Sequence, residues 1–270
     1  MKKLIVSGCS WTDNVYRSSI YPEMDCSWTK WPVHLAKKLD MAPVNLGRSG
    51  AGNEYIYSTL HDKIIQTKDK SEIGLVVAAW TESHRRDYQN IEQFDSTYDQ
   101  SLRNKILWRN TWFSDQVDSR GNILYFMRKA LRYQLSLQTL CERWDIPYVQ
   151  FQMIHPYDNY MDGLEYFDVK NNKNRKLDYP NLQPEKDEDS IVRLIRDTWP
   201  SIDDNKYLGW PIIYTEKGYS VSGGYDLSWL MHFGSDDKYI IDEVDTHPNA
   251  KGHEWIANFL HTEIIHRDLI

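Results

Sequence analysis

A hydroxyl, a carboxylate and an imidazole stand in two short segments near opposite ends of this 270-residue chain. The first segment reads Gly8-Cys9-Ser10-Trp11-Thr12, and the second reads Asp245-Thr246-His247-Pro248-Asn249. Ser, His and Asp can act as a nucleophile, its general base and the group that orients the base, whatever their order in the chain. A lone Ser after a strand is more often a turn or cap residue. The two segments together favour covalent catalysis by a hydroxyl nucleophile.

Alternating strand and helix patterns predict the elements that position these segments. The hydrophobic runs predict strands at 3–7, 43–46, 73–79 and 146–151. The helical spacing of apolar residues predicts helices at 32–39, from after Gly52 to about Gln66, at 124–143 and at 249–266, with a further short helix at 190–199. This alternation is typical of βαβ units and predicts an α/β fold with a largely parallel sheet.

The length allows one large α/β domain with insertions or at most two small domains, and we predict a single domain over residues 1–270, with polar insertions near 88–122 and 156–240. In α/β folds such insertions lie over the rim of the sheet where ligands bind. Trp11, Trp80, Trp108 and Trp112 are candidates for stacking on sugar rings there, although core packing is the commoner role of tryptophan. Arg85 and Arg86 follow the third strand and are compatible either with an anionic substrate or with simple solvation.

Composition also argues against several partners. Lys and Arg number 32 against 39 Asp and Glu, a net charge of −7 without a basic stripe, so we expect no nucleic acid. We expect no membrane span, because no run of about 18 apolar residues occurs. The absence of a signal peptide favours a cytoplasmic location, with export by another route left open.

Three scattered cysteines, Cys9, Cys26 and Cys141, predict free thiols.

Neither a metal nor a cofactor is expected. No His-Glu-x-x-His motif or close His–Cys pair occurs in the sequence. The glycines at positions 47, 50 and 52 have neither dinucleotide-binding nor P-loop spacing. A tight turn accounts for them.

The ordered motifs resemble those of the SGNH hydrolases, the GDSL-like lipase/esterase family. Gly8-Cys9-Ser10-Trp11-Thr12 is similar to the family's Gly-Asp-Ser-x-Thr turn, and Asn45-Leu46-Gly47-Arg48-Ser49-Gly50 is similar to its Asn-x-Gly-x-x-Gly block. Asp245-Thr246-His247-Pro248 is similar to its last block, Asp-x-x-His followed by Pro. The resemblance implies a three-layer α/β/α sandwich with a parallel, flavodoxin-like sheet, the SGNH-hydrolase fold. It also implies an active site at the carboxyl ends of the strands.

The resemblance assigns a role to each of five residues. Ser10 would be the nucleophile, His247 its base and Asp245 the residue that orients His247. The oxyanion hole would comprise the backbone N–H groups of Ser10 and Gly50, with Thr81 as the third donor. A glycine suits this position because a side chain there would block the approach of substrate to the N–H.

Three positions depart from the family pattern. Cys9 replaces the family's Asp beside the nucleophile, and Thr81 stands where the family has Asn. The carboxylate of Asp245 lies two residues before His247, whereas three is usual, and Asp242 is the reserve candidate for the orienting role.

These features predict a serine esterase that hydrolyses a small acyl ester through Ser-His-Asp chemistry. The polar, aromatic insertions and the absence of a long apolar lid favour an O-acetylated carbohydrate as the substrate. A non-catalytic glycan-binding or structural module on the same scaffold is the first alternative, and an O-acyltransferase is the second. The sequence leaves the oligomeric state open.

Overall fold

A parallel sheet, of which the described residues form five strands, lies at the centre of the structure. The strands of this sheet are β1 Lys3–Ser7, β2 Ala42–Asn45, β3 Ile73–Trp80, β6 Tyr148–Gln152 and β9 Tyr207–Leu208. Their order is β2-β1-β3-β6-β9, and every neighbouring pair is parallel. This is the 2-1-3-4-5 order of flavodoxin-like sheets. The computed structural model describes residues 1–83, 85–90, 107–111, 123–154, 165–168, 173–176, 201–208, 213–215, 218–220, 227 and 239–270.

Helices cover both faces of the sheet. They are α1 Trp31–Lys38, α2 Asn53–Gln66, α3 Ile123–Arg143 and α4 Ala250–His266, and a 3-10 turn spans Lys70–Glu72. Helix α2 packs against α3, and α1 packs against α4. No helix in the described part of the chain is long and apolar enough to cross a membrane.

Two hydrophobic cores result from the alternation of side chains along the strands. Ile5 of β1 belongs to the core that contains residues of α2 and α3, including Ile56 and Leu131. Leu4 and Val6 belong to the core on the other face, which contains residues of α1 and α4. The predicted α/β class and the three-layer sandwich with a flavodoxin-like parallel sheet are therefore confirmed.

Most predicted elements are present within one or two residues of the expected bounds. The strand predicted at 146–151 begins later, because Ile146 N bonds back to the carbonyl of Cys141 at the end of α3. Strand β9 was not predicted, because it is only two residues long. The helix predicted at 190–199 lies outside the described residues.

Among the described residues, three antiparallel strand pairs lie in or next to the predicted insertions. Their strands are β4 Arg86–Asn90 with β5 Leu107–Thr111, β7 Glu165–Asp168 with β8 Lys173–Lys176, and β10 Ile213–Thr215 with β11 Gly218–Ser220. Strand β9 falls within the range predicted as the second insertion, yet it is part of the central sheet. A single domain with insertions stays a prediction.

The candidate site forms where three adjacent strands end. Asn45 of β2 is level with Val6 of β1, and Ala78 of β3 is level with Ser7. The chain therefore leaves all three strands at one edge of the sheet, which is where α/β folds bind ligands.

Candidate active site

The turn after β1 separates the side chains of Cys9 and Ser10. Thr12 N and Asp13 N both donate to the carbonyl of Cys9, at 2.9 and 3.2 Å. The Cys9 side chain is fully buried in the core between the sheet, α1 and α4, whereas Ser10 is 9% exposed and contacts His247. The thiol is therefore shielded, and the hydroxyl is the group that this turn presents. All three cysteines are free and buried.

Ser10, His247 and Asp245 form a continuous chain of hydrogen bonds. His247 Nε2 lies 2.8 Å from Ser10 Oγ, and His247 Nδ1 lies 2.7 Å from Asp245 Oδ1. In the neutral tautomer with a proton on Nδ1, His247 donates to Asp245 and accepts from Ser10. This is the arrangement that a serine nucleophile and its base require.

The short loop before α4 makes the reduced Asp-x-His spacing possible. Ile241 N donates to the carbonyl of His247 at 2.9 Å, and Asp242 N donates to that of Asp245 at 3.1 Å. Asp242 Oδ1 accepts from the backbone N–H groups of Val244 and Asp245, at 2.8 and 2.7 Å. Asp242 therefore shapes the loop, and the carboxylate beside His247 Nδ1 is that of Asp245.

Burial and hydrogen bonding set the protonation states of this pair. Burial lowers the pKa of His247 below its usual value, an effect that the Asp245 carboxylate opposes and the charge of Arg85 reinforces. Burial raises the pKa of Asp245, but hydrogen bonds from Ser18 and His247 outweigh it and leave that pKa below its usual value. At neutral pH the imidazole is therefore uncharged and the carboxylate ionised, as a general base and its partner should be.

Two further side chains contact Asp245 and were not predicted from the sequence. The Tyr16 hydroxyl donates to Asp245 Oδ2 at 3.0 Å, and the Ser18 hydroxyl donates to the same oxygen. The Tyr16 ring stacks on His247, with ring centroids 4.4 Å apart. Both residues lie in an irregular loop, and no motif marks them.

Gly50 follows β2 in a loop whose backbone is held by hydrogen bonds both before and after Gly50. Its φ of 76° lies in the left-handed region that glycine tolerates best. Among the described residues the N–H groups of Gly50 and Ser10 have no hydrogen-bond acceptor. The other N–H groups of the loop all have one, namely Gly47 to Asn45, Arg48 to Gly8, Ser49 to Asp13, Ala51 to Arg48 and Gly52 to Asp87.

Thr81 is fully buried at the end of β3 and is held by its backbone. Its N–H donates to Asn53 Oδ1 at 2.9 Å, and its carbonyl accepts from the side-chain amides of Asn53 and Gln152, both at 3.0 Å. Its hydroxyl has no hydrogen-bond partner among the described residues. A buried hydroxyl without a partner is uncommon and marks this group as a candidate donor to a ligand.

The side chains of the two arginines after β3 both contact other residues of the protein. Arg85 is 8% exposed, and its Nε donates to Glu82 at 2.5 Å, so the picture of an exposed arginine is wrong for this residue. Burial is tolerated because the guanidinium is paired with a carboxylate. The Arg86 guanidinium lies 4.9 Å from the centre of the Phe126 ring.

Of the four tryptophans considered as candidates for stacking on sugar rings, the structure describes the side chains of two. Trp80 is fully buried, and its Nε1 donates to Gln150 Oε1 at 3.0 Å, so it packs in the core. Trp11 is buried beside His247, with ring centroids 6.2 Å apart. Trp112 and the side chain of Trp108 lie outside the described part of the chain.

Within the described ranges, no group of three or more His, Cys, Asp or Glu side chains is arranged to hold a metal ion.

No family model matches the chain, and neither does any curated protein. Several solved structures are similar to it over nearly its whole length. A protein described as belonging to the lipolytic G-D-S-L family, from Desulfitobacterium hafniense DCB-2, is 12% identical, with a TM-score of 0.46 and coverage of 97% of this chain and 99% of that one. The esterase EstA from Pseudoalteromonas sp. is 12% identical, with a TM-score of 0.45 and coverage of 98% of both chains. Axe2, an acetylxylan esterase from Geobacillus stearothermophilus, is 13% identical, with a TM-score of 0.41 and coverage of 97% of this chain and 94% of its own.

Proposed function

We propose that this protein is a serine ester hydrolase of the SGNH type that acts on a small acyl ester. The observation that carries the proposal is a pair of hydrogen bonds. Ser10 Oγ lies 2.8 Å from His247 Nε2, and His247 Nδ1 lies 2.7 Å from Asp245 Oδ1. Three residues in a direct hydrogen-bonded line, at the ligand-binding edge of an α/β sheet, fit the roles of nucleophile, base and orienter.

The first half of the proposed reaction acylates Ser10. Ser10 Oγ attacks the ester carbonyl carbon while His247 Nε2 takes the hydroxyl proton. The tetrahedral intermediate collapses, the bond to the leaving alcohol breaks, and His247 returns the proton to that alcohol. The product is an ester between the acyl group and Ser10.

The proposed oxyanion hole combines three donors. They are the backbone N–H groups of Ser10 and Gly50, which have no acceptor among the described residues, and the Thr81 hydroxyl, which is buried without a partner there. Donors held in place before the reaction stabilise the developing charge, and one such donor is typically worth about 2.7–4 kcal/mol.

The second half of the reaction frees the enzyme. Water attacks the acyl carbon of the acyl-Ser10 ester while His247 Nε2 takes a proton from the water. The bond to Ser10 Oγ then breaks, Ser10 recovers a proton from His247, and a carboxylic acid leaves. Asp245 stabilises the imidazolium that forms at each step.

We further propose that the leaving alcohol is a carbohydrate hydroxyl and that the acyl group is acetyl. The polar and aromatic composition of the stretches around 88–122 and 156–240 supports this choice, since aromatic side chains suit sugar faces and no long apolar run that could cover a lipid chain occurs there.

The test is hydrolysis of a panel of p-nitrophenyl esters of increasing acyl length and of acetylated mono- and oligosaccharides. The wild-type protein should release acetate from acetylated sugars and prefer p-nitrophenyl acetate to longer esters. Ser10→Ala should lose this activity, because it removes the nucleophile. Cys9→Ala is the matched control, since it changes the neighbouring side chain and leaves Ser10 in place, so its activity should persist.

The alternatives give different results in the same experiment. A wild-type protein that binds acetylated sugars without releasing acetate would indicate a binding module. Transfer of the acetyl group to an added sugar, at a higher rate than to water, would indicate an acyltransferase. Activity lost in Cys9→Ala but kept in Ser10→Ala would move the nucleophile to the thiol.

A further inference from the structure

The carboxylate of Asp245 is shared between two parts of the chain. Its Oδ1 faces His247, 2.7 Å from Nδ1 and 3.2 Å from the backbone N–H of the same residue. Its Oδ2 accepts hydrogen bonds from Tyr16 and Ser18, which precede it by 229 and 227 residues. Asp245 is 3% exposed, so solvent contributes little to holding its orientation.

The hydroxyl of Ser18 is oriented by its neighbours to donate its proton to Asp245. Ser18 Oγ accepts from the backbone N–H groups of Tyr21, at 2.9 Å, and Ile20, at 3.2 Å. These two bonds use the acceptor capacity of the oxygen, which leaves its proton for Asp245 Oδ2. The turn that follows Ser18 therefore orients this donor.

Tyr16 contacts both members of the Asp–His pair. Its hydroxyl lies 3.0 Å from Asp245 Oδ2 and 3.3 Å from Oδ1, and its ring stacks on His247 with an interplanar angle of 27°. Burial raises the pKa of Tyr16, and the charge of Asp245 raises it further, so the hydroxyl keeps the proton that it donates. One side chain thus restricts both the carboxylate and the imidazole.

The local loop fixes the backbone near Asp245, and it makes one contact with the side chain, from the His247 N–H to Oδ1 at 3.2 Å. Asp242 holds the N–H groups of Val244 and Asp245, and those bonds leave the torsions of the Asp245 side chain free. With one residue between Asp245 and His247, the carboxylate needs further contacts to stay turned towards Nδ1. Tyr16 and Ser18 supply these contacts from the loop that begins at Ser10.

We propose that Tyr16 and Ser18 are positioning residues that hold Asp245 in the orientation in which it aligns His247 with Ser10. The inference rests on the proposed function. It predicts that loss of either hydroxyl slows the reaction of Ser10 without changing the groups that touch the substrate. Removing the orienting Asp itself costs about 10⁴-fold in the best-studied serine hydrolase, so the partial loss of its orientation should cost about tenfold or more.

The test measures the second-order rate at which a fluorophosphonate labels Ser10, followed by mass spectrometry. This probe needs no known substrate: Ser10 Oγ bonds to phosphorus, fluoride leaves, and the serine proton passes to His247. Tyr16→Phe keeps the stacked ring, whereas Ser18→Ala also removes the acceptor of the Ile20 and Tyr21 N–H groups. Each variant should label about tenfold more slowly. Melting temperatures confirm that each variant is folded, and either variant alone suffices for the test.

Two controls separate positioning from a general structural effect. Tyr148→Phe removes the hydroxyl of another buried tyrosine, one that donates to a carboxylate other than Asp245, namely Glu142 Oε1 at 3.1 Å, and it should label at the wild-type rate. In an Asp245→Ala background, Tyr16→Phe should have less than a twofold further effect, because residues that act through one another are not additive.

Each outcome decides the inference. If the wild type is labelled at Ser10 and both Tyr16→Phe and Ser18→Ala are labelled at the same rate as the wild type, the inference is overturned while the proposed function stays intact. The inference is also overturned if Tyr16→Phe lowers the labelling rate equally in the wild-type and Asp245→Ala backgrounds. A folded wild type that is not labelled at Ser10 would overturn the proposed function and the inference together.

Discussion

The carboxylate of Asp13 accepts two hydrogen bonds from Ser49, one from its backbone N–H at 2.8 Å and one from its hydroxyl at 2.6 Å. Asp13 belongs to the turn that follows Ser10, and Ser49 directly precedes Gly50. This contact ties the segment that carries the candidate nucleophile to the segment that carries the candidate oxyanion donor. The backbone N–H groups of Ser10 and Gly50 are therefore positioned before any ligand binds, as electrostatic catalysis requires.

Gly50→Ala should abolish most activity while the protein remains folded. A Cβ at a φ of 76° costs about 1–2 kcal/mol of stability, and the added methyl obstructs the N–H. We expect kcat to fall by about 10²–10³-fold, the usual loss for one oxyanion donor. Steady-state kinetics and thermal melting measure the two effects. Wild-type kcat in a folded Gly50→Ala protein would remove Gly50 from the oxyanion hole.

Thr81→Val should lower activity without lowering stability. Valine has nearly the shape of threonine, and the hydroxyl that it replaces is buried with no partner in the described ranges. Removing such a group is neutral or stabilising for the fold, whereas loss of a third oxyanion donor would lower kcat by about 10²-fold. Thr81→Ser, which retains the hydroxyl, is the matched control. Equal kcat in the Val and Ser variants would show that the hydroxyl has no catalytic role.

The pH dependence of kcat/KM should follow the ionisation of His247. Burial lowers the pKa of this residue below its usual value of about 6.5. Only the neutral imidazole accepts the Ser10 proton, so activity should rise with pH through a midpoint below 6.5 and stay constant above it. Rates measured from pH 4 to 8 in buffers of constant ionic strength test this. A midpoint above 7 would contradict the assignment of His247 as the base.

Asp245→Asn should reduce kcat/KM by about 10³–10⁴-fold, because the amide favours the wrong tautomer of the histidine. Asp242→Asn is the matched control. Its side-chain oxygen can still accept from the N–H groups of Val244 and Asp245, so activity should change little. Full activity in Asp245→Asn would indicate a Ser–His dyad. A loss confined to Asp242→Asn would transfer the orienting role to Asp242.

The sequence was sufficient to predict the elements that depend on local periodicity. The apolar runs of β1 and β3 and the helical spacing in α2 and α4 are each visible within one segment, and so is the order of motifs around Ser10, Gly50 and His247. Strand β9 was missed, because two residues, Tyr207 and Leu208, are too few to show a period. Pairing with β6 makes it a strand.

The polar contacts that support the candidate site could not be predicted in the same way. Tyr16 and Ser18 reach Asp245 across more than 220 positions of sequence, and neither has a recognisable spacing from it. Arg85 resembles a solvated loop residue until Glu82 is seen to pair with it in a buried site. Such contacts depend on how loops meet over the sheet, which only the fold determines.

Ionisation of Asp87 should lower the free energy of unfolding as pH rises, an effect that a neutral residue at this position would not have. Its carboxylate accepts from the N–H groups of Gly52 and Tyr55 at the start of α2, both at 2.8 Å, and it is 9% exposed. Burial raises the pKa of Asp87 to about 6, although these hydrogen bonds oppose the shift. Between the unfolded value of about 3.9 and pH 6, the folded state therefore binds a proton that the unfolded state has released.

The stability of wild type relative to Asp87→Asn should accordingly fall as pH rises from 4 to 6.5, by roughly 1–3 kcal/mol, and then level off. Denaturant unfolding of both proteins across this range gives the difference, in which the other titrating groups cancel. Asp69→Asn is the matched control with the opposite sign. Asp69 caps the 3-10 turn through Ser71, whose hydrogen bonds lower its pKa, so its contribution should be lost as pH falls. A wild-type stability that rises relative to Asp87→Asn between pH 4 and 6 would show that the caps at Gly52 and Tyr55 outweigh burial.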